Sequence, residues 1–177
     1  MRVITGTARG RRLKEPENAG IRPTTDQVKE AMFNICQYEV EGRRVLDLFG
    51  GTGQLGIEAA SRGAAEVTIV DSGKAAIDLI RENIDRTGLE IRVVRGDALG
   101  FLQRDGEYDL IFLDPPYGSG LAEKALQMIK SFDKLSIGGI IICETDALSV
   151  LPEVEPPYLR LREYRYGKVK LTTYTKR

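Results

Sequence analysis

Apolar residues in this chain fall into short continuous runs that alternate with longer amphipathic stripes. The runs cover residues 44–49, 66–70, 91–94, 108–113 and 140–143, and each is dense in branched or aromatic side chains. Short runs of that kind predict buried strands. Between them, apolar positions recur at helical spacing. A helix is predicted to begin at Thr24 or Thr25, either of which can cap it, with Asp26 suited to its positive end and Val28, Ala31, Met32 and Ile35 on one face. Further helices are predicted over 54–62, stopped by Gly63, over 74–87, stopped by Gly88, and over 121–132, with a short one over 98–103. Gly138-Gly139 precedes the fifth strand, and a short helical piece is expected after Glu144. Strands over 158–165 and 169–175 then pair across Gly167 as a hairpin. Strands and helices alternating in this way predict an α/β fold: a seven-stranded, mostly parallel sheet with helices on both faces and an antiparallel C-terminal hairpin.

Composition narrows the class. At 177 residues, 42% hydrophobic and 29% charged, the chain suits one compact domain with a real core. No apolar run reaches the ~18–20 residues that span a membrane. The first residues hold no apolar stretch suited to a signal peptide, so a cytoplasmic location is expected. Cys36 and Cys143 lie far apart in apolar surroundings, as free thiols do in a reducing compartment, and lack metal-ligand spacing. The chain has no histidine. That excludes Ser-His and Cys-His hydrolase chemistry, His-ligated metals and the commonest general base. Carboxylates, Tyr, Lys, backbone groups or a cofactor must carry any reaction, and no metal is expected.

Net charge is zero but unevenly spread. Residues 1–30 carry seven Lys or Arg against four acids, residues 158–177 seven against one, and the middle twelve against twenty-one. Basic ends around an acidic middle suit an anionic polymer. Residues 1–24 read as a basic arm ahead of the main domain, 25–177. In the arm, residues 1–5 and 12–14 can form short strands joined through Gly6 and Gly10, and Arg2, Arg9, Arg11 and Arg12 can track phosphates. A Pro/Asn/Gly loop follows at 15–20. Arg22 and Thr24 are candidate phosphate or substrate contacts; plain capping accounts equally well for the threonines. Arg160, Arg162, Arg165 and Lys168 can assist, although exposed hairpin charges often only keep a surface solvated.

The candidate chemistry sits at strand ends. The run 108–113 stops at Asp114-Pro115-Pro116-Tyr117. The prolines forbid further sheet pairing and hold Asp114 extended, leaving a carboxylate, unpaired carbonyls and a ring on a rigid turn. Asp47 precedes Gly50-Gly51-Thr52-Gly53 between a strand and a helix. Glycines there let a ligand approach the backbone, and the helix start offers free N–H groups. A pyrophosphate would be repelled by Asp47, whereas a cationic ligand such as an amino acid ammonium would be welcomed. Asp71 lies about twenty residues beyond the glycines, where a carboxylate binds adenosine ribose hydroxyls. Asp97 ends the third strand and can accept from an adenine amino group, or cap a helix. A nucleoside with a cationic tail is S-adenosylmethionine.

These residues resemble the Rossmann-like class I methyltransferases, whose amino-methylating signature Asp114-Pro115-Pro116-Tyr117 matches. Together with Arg22-Pro23-Thr24-Thr25-Asp26, Phe33-Asn34, Asp47-Leu48-Phe49-Gly50-Gly51-Thr52-Gly53 and Tyr166-Gly167-Lys168, the chain is similar to the RsmD family along nearly its whole length. Gly50 stands where many of that family have Ala, and Asp71 where many have Glu; both changes are mild. The resemblance implies methylation of guanine N2 in small-subunit (16S) ribosomal RNA, free or in an assembly intermediate, by a monomer. Asp114, Pro115, Pro116 and Tyr117 are then catalytic. Asp47, Phe49, Gly50, Gly51, Thr52, Gly53, Asp71, Ser72, Asp97 and Ala98 hold S-adenosylmethionine, and Arg2, Arg9, Arg11, Arg12, Arg22 and Thr24 hold RNA. Asp114 and the Pro115 carbonyl would accept from the amino group while Tyr117 stacks on an unstacked base. Adenine-N6 methylation uses the same signature, but 177 residues leave no room for a separate target-recognition domain. A nicotinamide oxidoreductase is disfavoured by Asp47, and a silent RNA-binding module by the intact Asp114 and glycine loop.

Overall fold

A computed structural model of the chain describes residues 1–17, 20–104 and 106–177; the loop expected over 15–20 therefore lies partly outside the described residues. Five parallel strands and an antiparallel pair form one sheet in the order β3-β2-β1-β4-β5-β7-β6. The strands are β1 Arg44–Asp47, β2 Glu66–Asp71, β3 Arg92–Arg95, β4 Tyr108–Leu113, β5 Leu135–Asp146, β6 Tyr158–Tyr166 and β7 Val169–Lys176. The strand order reverses between β1 and β4. Ligands of open α/β sheets bind at such a switch point, outside the carboxyl ends of the strands. No described helix is long and apolar enough to cross a membrane.

The helices are α1 Asp26–Ile35, α2 Gln54–Ser61, α3 Lys74–Thr87, α4 Ala98–Phe101 and α5 Leu121–Ser131. Thr25 caps α1, its Oγ1 accepting from Val28 N at 3.3 Å. One core joins α1, α2 and α3 to the sheet through Met32, Phe33, Leu55, Ile69, Ile80 and Phe112, with the Phe33 and Phe112 ring centroids 5.2 Å apart. The other joins α4 and α5 to the opposite face through Phe101, Leu126, Ile129, Leu135 and Tyr174.

The strand layout differs from the sequence expectation in two places. β5 begins at Leu135 and carries Gly138-Gly139 inside it, as a register shift against β4 between Tyr108 and Leu110. Gly138 takes φ +78, which a bulge there requires. No helix follows Glu144. The chain instead turns, with Asp146 Oδ1 accepting from Leu148 N and Ser149 N, a local bond that competes with helix formation. The hairpin does add antiparallel strands, but β7 lies inside the sheet and β6 forms the edge.

The basic arm is docked onto α2. Its expected strands reduce to one antiparallel bridge, Arg2 with Arg12. Val3, Ala8 and Leu13 pack against Ile57. Buried Glu58 accepts from Ile4 N and Thr5 N, each at 2.9 Å. Fully buried Lys29 donates to the Arg2 carbonyl at 2.7 Å and lies 3.8 Å from Glu58 Oε2. Asn83 joins arm to glycine loop, accepting from Lys14 N at 2.6 Å and donating to Thr52 O at 3.0 Å. These bonds leave Arg2, Arg9, Arg11 and Arg12 exposed.

Candidate active site

Residues 50–53 turn sharply between β1 and α2. Gly50 N donates to Val70 O at 2.9 Å, and Gly53 N to Gly50 O at 2.7 Å. Gly53 takes φ +80, which admits a side chain only with strain. Gly56, one turn into α2, lets the helix close on the sheet: a Cβ there would sit 2.5 Å from Ile69 Cδ1. Against this loop opens a cavity of about 490 Å³. All the predicted catalytic and cofactor residues except Asp47 and Gly53 line it: Phe49, Gly50, Gly51, Thr52, Asp71, Ser72, Asp97, Ala98, Asp114, Pro115, Pro116 and Tyr117.

Asp47 lies apart from the cavity wall. As the last residue of β1 its side chain lies beneath the glycine loop, 1% exposed, with Oδ2 accepting from Gly56 N at 3.1 Å. That bond ties β1 to the start of α2, and Oδ1 is buried without a partner. Burial, aided by the Asp71 charge and opposed by the Gly56 bond, pushes its carboxyl up to about 7.

Asp71 and Asp97 are partly engaged. Asp71 accepts from Gly51 N (2.9 Å) and Gly73 N (2.8 Å). Each oxygen keeps a second lone pair for a hydroxyl donor. Asp97 caps α4, its Oδ2 accepting from Gly100 N at 2.7 Å, and it also lines the cavity.

Asp114 stands at the end of β4. Its Oδ2 accepts from the Thr24 hydroxyl at 2.8 Å. Burial, then the Glu144 charge, push its carboxyl up to about 8, against the opposing effects of the Thr24 bond and Arg22. Tyr117 donates its hydroxyl to Glu144 Oε1 at 2.6 Å, and the Arg22 guanidinium lies 5.3 Å from the Tyr117 ring centroid. Burial and the same carboxylates hold the phenol well above its ordinary value.

The RNA candidates therefore divide. Arg22 and Thr24 belong to the cavity, while Arg2, Arg9, Arg11 and Arg12 lie on the docked arm. Arg160 turns inward to the Leu151 carbonyl at 2.7 Å and pairs with Glu153 at 3.3 Å, so it serves the hairpin's own structure.

Two lining residues escaped the sequence reading. Glu144 directly follows the apolar run 140–143, two residues before β5 ends at Asp146. Gln54, the first residue of α2, is 3% exposed; its Nε2 donates to Thr24 O at 2.7 Å, and its Oε1 is buried without a partner. Buried acceptors ordinarily find a donor, so an unpartnered oxygen on a cavity-lining residue stands out.

Known proteins resemble this chain in sequence and fold. The family model described as conserved hypothetical protein 95 matches residues 1–175. The chain is 38% identical over 183 aligned residues to the putative rRNA methyltransferase YlbH of Bacillus subtilis, covering 100% of each. It is 34% identical to the ribosomal RNA small subunit methyltransferase D of Escherichia coli K12, over 98% of this chain and 89% of that one. Among solved structures it resembles the putative methyltransferase yhhF of Escherichia coli, with a TM-score of 0.87 and 31% identity, covering 99% of this chain and 97% of that one.

Proposed function

The chain belongs to the RsmD family, and on that premise we propose that it is a ribosomal RNA methyltransferase that moves a methyl group from S-adenosylmethionine to guanine N2 in small-subunit (16S) ribosomal RNA. The observation that carries this reading is Asp114: a strand-end carboxylate beside a proline turn and an aromatic ring, sharing one cavity with the glycine loop.

The residues present fit the cofactor. Asp71 offers acceptors for ribose hydroxyls and Asp97 one for an amino group. Gln54 Oε1 and Asp47 Oδ1 are both buried acceptors without a partner, and of the two residues Gln54 lines the cavity where an ammonium would lie. Phe49, Ser72 and Ala98 supply walls around these groups. S-adenosylmethionine would bring a methyl group already activated on a sulfonium.

The remaining work falls to the chain's own side chains. An exocyclic amino group is a poor nucleophile because its lone pair is delocalised into the ring. Asp114 Oδ1 and the Pro115 carbonyl accept from its N–H groups and so favour the pyramidal form. The Thr24 hydroxyl occupies Oδ2, which fixes the orientation of the carboxylate. Tyr117, anchored on Glu144, offers a face for the unstacked base. Holding the two reactants in line supplies much of the acceleration. The arm residues Arg2, Arg9, Arg11 and Arg12 hold RNA phosphates, which positions the substrate with little sequence information.

The test is labelled methyl transfer from S-adenosylmethionine to small-subunit RNA taken from cells lacking this enzyme. Wild type should label the RNA and Asp114→Ala should not; equal labelling by both removes Asp114 from the mechanism.

A further inference from the structure

Asp114 has a neighbour whose chemistry the methyl transfer does not yet use. β4 and β5 run parallel, and Leu113 stands opposite Cys143. Leu113 and Cys143 both enter the core shared with α4 and α5. The next residues, Asp114 and Glu144, therefore point to the opposite face, on strands spaced about 4.8 Å apart. Both line the cavity.

Each carboxylate has one oxygen held by a hydroxyl. Thr24 donates to Asp114 Oδ2, and Tyr117 to Glu144 Oε1. The other oxygens, Asp114 Oδ1 and Glu144 Oε2, receive no hydrogen bond among the described residues. Glu144 is 6% exposed, and its Oε2 is buried. Two adjacent acceptors without donors, side by side in a cavity, match a ligand edge that presents two adjacent N–H donors.

Of the bases with an exocyclic amino group, guanine alone has that edge. Its N2 amino group adjoins N1–H. Adenine sets its amino group beside a bare N1, and cytosine beside a bare N3; both are acceptors that would face a carboxylate. Burying such a pair without a hydrogen bond is costly.

We propose that Glu144 is a specificity-determining residue that accepts the guanine N1–H while Asp114 accepts from N2, so that the register of β4 against β5 selects guanine over adenine and cytosine. This rests on the reading of the chain as a guanine-N2 methyltransferase. The charge balance agrees with it. Burial raises both carboxyls, and a base edge with adjacent N–H donors favours their ionised forms where a single amino group would serve only one.

The experiment uses small-subunit particles reconstituted with RNA that carries either guanine or 2-aminopurine at the nucleotide the wild type methylates. 2-Aminopurine keeps the amino group but bears a lone pair at N1. Wild type should favour guanine by about a hundredfold in kcat/KM. Glu144→Gln keeps an oxygen for Tyr117 and turns the other position into an N–H donor; it should lose guanine activity and bring 2-aminopurine level with guanine or above it. Tyr117→Phe should slow both substrates while preserving their ratio. The proposal is overturned if Glu144→Gln keeps the wild-type ratio, or if Tyr117→Phe collapses the ratio as Glu144→Gln does, since Glu144 then acts only by anchoring the ring. In both cases wild type still methylates guanine N2 and the parent reading stands. Failure of wild type to methylate guanine at all removes the parent reading and this one with it. Unaltered S-adenosylmethionine binding by Glu144→Gln, measured by calorimetry, shows that the variant is folded.

Discussion

The Thr24 hydroxyl donates to Asp114 Oδ2 across 2.8 Å, joining the segment before α1 to the end of β4. The Arg-Pro-Thr-Thr-Asp segment thus lends a side chain to the carboxylate as well as a cap to α1. Replacing Thr24 with valine keeps the shape and removes the donor. A hydrogen bond to a charged group contributes about 1.5–3 kcal/mol, so methyl transfer should fall about ten- to a hundredfold. The same bond holds the Asp114 carboxyl down. Thr24→Val should therefore be more defective at pH 7 than at pH 9, as initial rates at the two pH values would show.

Asp114 must be ionised to accept from an amino group. Its carboxyl lies above the ordinary Asp range, at about 8, mainly through burial and then through the Glu144 charge. Below that value the acid form predominates in the folded site, and above it the carboxylate does. The kcat/KM of wild type should thus rise about tenfold per pH unit towards pH 8 and then level off. A profile that is flat or falling between pH 6 and 8 contradicts the assigned role.

Gln54 bridges the two halves of the site, with its amide on the Thr24 carbonyl and its oxygen unpartnered in the cavity. If that oxygen receives the cofactor's ammonium, Gln54→Leu should weaken S-adenosylmethionine binding about tenfold or more. Calorimetric titration of the cofactor measures this directly; unchanged affinity would assign Gln54 to the protein's internal bonding alone.

Glu58 holds the arm. Glu58→Ala strips acceptors from Ile4 N and Thr5 N and leaves Lys29 buried beside no carboxylate of its own depth. Removing one partner of such a pair costs about 3–5 kcal/mol. The melting temperature should drop by about 10 °C. RNA affinity should weaken with it, while cofactor affinity, measured below the new transition, stays near that of wild type.

Much of this architecture was legible in the residue pattern, because parallel strands buried on both faces read as unbroken apolar runs and their helices as clean stripes. The bounds of α3 and β4 follow directly from Gly88 and from Pro115. What escaped depended on contacts distant in sequence or on a single backbone angle. β5 hid its first half because Gly138-Gly139 read as a break, whereas a bulge absorbs them. Glu144 was passed over for a related reason: β5 runs on past it to Asp146, so its place beside Asp114 showed only once β5 was paired with β4. Asp47 was placed correctly at a strand end, but the side chain of a last strand residue can point above or below the following loop, and alternation turned it inward. The arm's attachment to Glu58 and Lys29 left no local signal, since Ile4 N and Thr5 N donate to Glu58 more than fifty positions away and Lys29 donates to the Arg2 carbonyl 27 positions back.

The central claim is that the Asp114 cavity methylates the N2 amino group of a guanine in small-subunit ribosomal RNA. Mass spectrometry of nucleosides after the purified protein and S-adenosylmethionine act on small-subunit RNA and on assembled subunits from cells lacking the enzyme tests it most directly. The account predicts N2-methylguanosine at a single position in at least one of the two substrates, absent with Asp114→Ala. N6-methyladenosine in its place, or no methylated nucleoside in either substrate, would contradict it.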